Sequence, residues 1–164
     1  MIDKTFPIAE KLLTATLRHA DILLQLLQTE RQMLEQTLDA TGIARTAANK
    51  KTIVVQLEQL GKQLEQVLAT EKLSLGRDGF DHYLARARQS GFNTETCQNT
   101  WARLTQLTGQ CRNLNEQNGA SIELLTRHTQ RSIQILRGRS QLTTTYGPDG
   151  CTRNELFSHT LISV

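Results

Sequence analysis

The stretch from Asn93 to Arg137 limits the fold more than any other part of the chain. On a period of roughly 3.5 residues its inward positions are Cys97, Trp101, Leu104, Thr108, Cys111, Asn115, Asn118, Ile122, Leu125, Thr129, Ser132 and Leu136. Leu107, Leu114, Leu124, Ile133 and Ile135 widen this stripe, as a helix lying in a bundle requires. A helix of about 45 residues reaches about 65 to 70 Å at 1.5 Å per residue. No small domain has a core that deep, so the partners of this helix must be long as well.

Trp101 shares a face with Cys97 and Leu104 and is expected to anchor the core near the start of this helix. Asn115 and Asn118, followed directly by Gly119, are the least expected residues of the seam. A buried amide without a partner costs about 1 to 3 kcal/mol, so leucine is the usual occupant. Three readings stay open: a buried polar pair that fixes helix register, a partner-binding groove, or simple exposure.

The preceding chain supplies long partners. Pro7 suits the first turn of a helix, which then continues through Leu13, Leu17, Ala20, Leu24, Leu27, Arg31, Leu34 and Leu38. Asp39 to Gly42 is a stop signal, with Gly42 placed as the C-terminal cap. A second helix carries Ile53, Leu57, Leu60, Leu64 and Val67 inward, and the short connection makes it the antiparallel neighbour of the first. Phe80, Tyr83, Leu84 and Ala87 show helical spacing between glycine joints, with Asp81 as the natural N-cap of a short helix. Helices are thus predicted near 8–41, 45–74, 81–89 and 93–137. The fold class is all-α, with long antiparallel helices forming a bundle or coiled coil over 1–138. Residues 139–164, poor in apolar anchors, are expected to form a mobile C-terminal tail.

Composition agrees, with 4% aromatics and 2 prolines in 164 residues. The formal charge of +3 comes from interspersed acids and bases, which describes a solvated helical surface and predicts no nucleic-acid partner. Cys97 and Cys111 lie about 21 Å apart on one helix, too far to bridge. With Cys151 the count is odd and leaves one over in any disulfide scheme, so Cys97 and Cys111 read as core thiols in a reducing, cytoplasmic setting. Charges interrupt every apolar run, which predicts no membrane insertion.

No phosphate-binding loop, dinucleotide fingerprint, H-E-x-x-H or Glu-x-x-His motif is present. Asp78, Asp81 and His82 are close in sequence but lack a second ligand cluster. The expectation is therefore no enzyme, no metal and no cofactor.

Trp101, Cys111, Asn115, Asn118-Gly119, Leu136-Arg137-Gly138 and Tyr146-Gly147-Pro148-Asp149-Gly150 together resemble the FlgN family of flagellar export chaperones. The leucine-rich first helices fit the same family but are generic. The resemblance implies a cytoplasmic chaperone that binds hook-associated flagellar proteins and delivers them to the type III export gate. It makes Ile122, Leu125, Thr129, Ile133 and Leu136 the candidates for holding the substrate's amphipathic terminal segment. It makes Tyr146 and Gly147 the candidates for docking at the export gate's cytoplasmic domain, although Tyr146 could equally pack the tail onto the bundle. The alternative is a structural coiled-coil protein that self-associates, and a homodimer stays open in either case.

Overall fold

The structure, a computed structural model, describes residues 1–137 together with the backbone of 145–146 and 152–153. Four helices follow in order: α1 (Ile2–Gln32), α2 (Ala40–Thr70), α3 (Arg77–Gln89) and α4 (Glu95–Leu136). Two-residue strands β1 (Thr145–Tyr146) and β2 (Thr152–Arg153) pair antiparallel, Thr145 opposite Arg153 and Tyr146 opposite Thr152. The chain divides into two compact units, Met1–Gly119 and Ala120–Val164. The expected all-helical architecture is the observed one, and the short ladder is the one departure from it among the described residues.

Helix boundaries differ from the sequence expectation for local physical reasons. α1 starts at Ile2 rather than near residue 8, because Ile2 and Phe6 are both buried and the extra turns cover the core. Pro7 therefore stands inside the helix, where it leaves the Asp3 carbonyl without its usual donor on an exposed face.

At its other end, α1 runs into a five-residue π-helical turn, Met33–Thr37. It closes where the Leu38 N–H donates to the Met33 carbonyl at 2.8 Å, with Leu38 at φ 48°. Asp39 then caps α2, its carboxylate accepting from the Thr41 N–H at 3.1 Å. Gly42 is thus not a C-terminal cap but a buried position inside α2. A Cβ there would collide with the Asp39 carboxylate, so glycine leaves room for the cap.

α2 stops at Thr70, short of residue 74. The Leu73 N–H reaches the Leu68 carbonyl and the Lys72 N–H the Ala69 carbonyl, the Schellman pattern, with Lys72 at φ 59° where glycine is usual. Leu73 packs against the core that contains Leu68, and this contact supports the turn. α3 begins at Arg77, so Asp81 is an interior residue and Gly76 holds the N-cap position. It ends in the same pattern, with Gly91 supplying the positive φ and Phe92 N–H reaching Ala87 O.

Within the first unit the helix directions follow from cross-links. Thr5 bonds Glu71 at 3.0 Å and Glu30 bonds Lys50 at 2.7 Å, so α1 and α2 are antiparallel. Cys111 donates to the Ala20 carbonyl and Asn118 to the Leu27 carbonyl, both 91 residues away, so α4 runs parallel to α1. The densest packing lies where α3 joins the start of α1, the end of α2 and the start of α4. There Phe6, Leu13, Leu68, Phe80, Tyr83 and Cys97 form the core, with Trp101 and Leu104 packed against it. Among the described residues no helix is long and apolar enough to cross a membrane.

Candidate functional site

Away from that core the bundle is held by a polar node. Glu30 is 1% exposed and Asn118 2%. Glu30 Oε2 accepts from Lys50 Nζ at 2.7 Å and from Asn118 Nδ2 at 2.9 Å, and Asn118 Nδ2 also reaches the Leu27 carbonyl at 2.9 Å. One carboxylate oxygen therefore ties α1, α2 and α4 together, while Glu30 Oε1 finds no partner among the described residues. A buried charge is tolerated only when paired and hydrogen-bonded, and Lys50 and Asn118 meet that demand.

This node separates the two asparagines. Asn118 is the buried register residue. Asn115 is exposed, one face away, its Oδ1 lying 3.5 Å from Lys50 Nζ. The actual inward line of α4 passes through Leu107, Cys111, Leu114 and Asn118 rather than through Thr108 and Asn115. Thr108 is exposed and returns its hydroxyl to the Leu104 carbonyl. Gly119 is exposed, and a Cβ there would meet nothing within 4 Å, so close approach does not explain it.

Trp101 is half-buried, its ring stacked on Phe80 with centroids 4.4 Å apart. Burial pushes the Cys97 thiol up to about 11, with Glu10 adding to the effect. Cys111 is raised as well, by burial and then by Asp21. Both therefore stay protonated and unreactive at neutral pH.

The distal half of α4 is different. Ile122 and Leu125 are half-buried and Thr129 is exposed. Leu124 is 54% exposed, Ile133 41%, Ile135 64% and Leu136 87%. Ile133 and Leu136 share a helix face with Ile122, Leu125 and Thr129, whereas Leu124 and Ile135 lie on the opposite side. Among the described residues Ile133 and Leu136 thus present an exposed apolar edge at the end of a 42-residue helix, the kind of feature that marks an interaction site. Tyr146 lies on β1 by its backbone, and Gly147 lies outside the described residues, as does the rest of the expected mobile tail apart from Thr145 and 152–153.

The polar node was not foreseen from sequence. Glu30 and Lys50 look like ordinary surface charges, and the only signal pointing to them is Asn118, an amide in a seam that must bond something.

A trough of about 470 Å³ opens above the node between α2 and α4, floored by Leu23 and Leu27 of α1. Apolar surface is thus offered both in this trough and on the distal part of α4.

Comparison with known proteins gives one family. No curated protein and no solved structure matches the chain significantly. A family profile described as FlgN protein matches residues 4–154, which takes in every helix almost whole as well as both short strands. On that match the chain belongs to the FlgN family, the flagellar export chaperones.

Proposed function

We propose that this chain is a cytoplasmic chaperone that holds the terminal amphipathic segment of hook-associated flagellar proteins on the distal face of α4, through Ile122, Leu125, Thr129, Ile133 and Leu136. The observation that carries the reading is the exposure of Ile133 and Leu136, which continue the helix face of Ile122, Leu125 and Thr129. An incoming apolar helix face would cover them, and helix-in-groove docking requires such anchors at i, i+3 and i+4. Membership of the family supports a chaperone role in general.

The test mixes the purified chain with a hook-associated subunit and reads stoichiometry by light scattering. A complex is expected with the full chain, and none after deletion of residues 130–164, with circular dichroism showing the remaining helices intact. Undiminished affinity after that deletion places the site elsewhere. A stable homodimer that takes up no subunit favours instead a self-associating coiled-coil protein, a reading the same exposed face would also serve.

Tyr146, together with Gly147, is proposed to dock the loaded chaperone at the export gate's cytoplasmic domain. Tyr146→Ala is expected to leave stability and subunit affinity unchanged and to weaken gate binding by about 2 kcal/mol, as for a hot-spot aromatic. Calorimetric titration of the loaded wild type and variant into that domain decides it. Equal affinities would leave Tyr146 as a residue of the fold.

A further inference from the structure

The trough lies wholly within the first unit and is bordered by two matching stripes. α2 presents Ala47, Lys50, Lys51 and Val54, and α4 presents Thr108, Cys111, Arg112 and Asn115. Each set has the spacing i, i+3, i+4, i+7, which is one helix face two turns long. Each stripe spans a rise of seven residue steps, about 10 Å at 1.5 Å per step. Leu23 and Leu27, one turn apart on α1, form the floor. Two helix faces thus look onto a third helix without closing over it, which leaves the fourth position of a four-helix arrangement open.

The border is also one-signed. Lys50, Lys51 and Arg112 line the trough, and no aspartate or glutamate does among the described residues. Lys50 is held by Glu30 beneath it. Arg112 pairs with Glu116 at 3.0 Å, but both side chains are largely exposed, and such a pair gives way readily to a better partner. Lys51 and Arg112, on opposite walls, are therefore available to carboxylates entering between them.

We propose that this trough is a docking groove for a two-turn helical segment of a partner protein, with apolar side chains at i, i+3 or i+4, and i+7 and carboxylates on both flanks. The apolar side chains descend between Val54 and Cys111 onto Leu23 and Leu27, and the carboxylates meet Lys51 on one side and Arg112 on the other. The groove is distinct from the distal face of α4. The source of the helix, an export substrate, rests on the chaperone reading, whereas the chemistry of the groove does not.

The test uses the full chain and three labelled synthetic helices of about 15 residues, long enough to form helix on binding. One carries a leucine stripe flanked by glutamates, one the same stripe flanked by lysines, and one glutamates with serines in place of the leucines. Fluorescence anisotropy is expected to show binding of the first that weakens with salt, and binding of the other two at least about tenfold weaker.

Ala47→Trp fills the groove from an exposed position of α2 and is expected to abolish binding. Lys51→Glu combined with Arg112→Glu, both at exposed positions, is expected to reverse the preference toward the lysine-flanked peptide without changing the melting temperature. The second variant keeps the test decisive if the first does not fold.

Equal binding of the glutamate-flanked and lysine-flanked peptides overturns the proposal, as does binding of neither. So does full affinity in the charge-reversed variant. A concentration-dependent dimer of the free chain that Ala47→Trp abolishes would assign the groove to a second copy and overturn it too. Loss of hook-associated binding on truncating α4 would bear on the distal face alone and leave these outcomes unchanged.

Discussion

The two halves of α4 carry the same kind of stripe and meet different fates. In the first half, Cys97, Leu107, Cys111 and Asn118 are buried, the last two bonded to carbonyls of α1. In the second half, Ile133 and Leu136 keep the same helical spacing and stand in solvent. Periodicity states which face of a helix seeks cover, not whether the same helix bundle provides it. The small side chains show where cover was provided. Ala20 and Cys111 let two backbones approach, and Asn118 replaces an apolar contact by hydrogen bonds that specify register.

The largest loss of stability is expected at the polar node. Lys50→Ala would strand the Glu30 carboxylate in the interior, and urea unfolding is expected to show a loss of about 3 to 5 kcal/mol. A loss below about 1 kcal/mol would mean that the node does not hold the first half together. Asn118→Ala removes two hydrogen bonds to buried acceptors and is expected to cost about 1 to 3 kcal/mol. Asn115→Ala, one face away, should stay within about 0.5 kcal/mol. A reversal of that order would return the seam to Asn115.

Trp101→Ala is expected to cost about 2 kcal/mol, below the range for full burial, because Trp101 is only partly buried despite its stack on Phe80. Thermal unfolding of that variant against Phe80→Ala measures the difference.

The thiols give a gentler probe. A raised thiol value means that the fold favours the protonated form. The stability linked to Cys97 is therefore complete below the ordinary value of 9.0 and is lost as pH rises toward about 11. Maleimide labelling of Cys97 and Cys111 in the native chain is expected to be slow, and to follow global unfolding.

The smallest effect on stability is expected where the apolar stripe is bare. Ile133→Ser with Leu136→Ser should change the melting free energy by less than about 0.5 kcal/mol. The same pair should nevertheless weaken hook-associated binding, and a large loss of stability would show that the distal face is already covered.

Much of this was legible in the residues. The heptads of the first helix, the bridge through Phe80 and Tyr83, and the length of α4 all follow from apolar spacing, as does the all-helical class. The family was legible too, in the Asn-Gly and Tyr-Gly-x-x-Gly runs. Caps were less legible. α2 ends on Lys72 in a conformation that glycine normally supplies, and Gly42, which looks like an ending, only leaves room for the Asp39 cap.

What the sequence determined by itself is the existence of the four helices and, to within part of a turn, the apolar side of each, because both depend on spacing along one chain. Tertiary structure alone decided which asparagine is buried, since three residues along a helix leave the two side chains only about 60° apart on its surface and only the position of α1 selects between them. It alone made Glu30 an interior charge, because burial of a carboxylate depends on Lys50 and Asn118 arriving from two other helices. And it alone left the trough between α2 and α4 open, since the spacing of each stripe specifies a face to be covered and only the packing of the three helices shows that nothing within the first unit covers it.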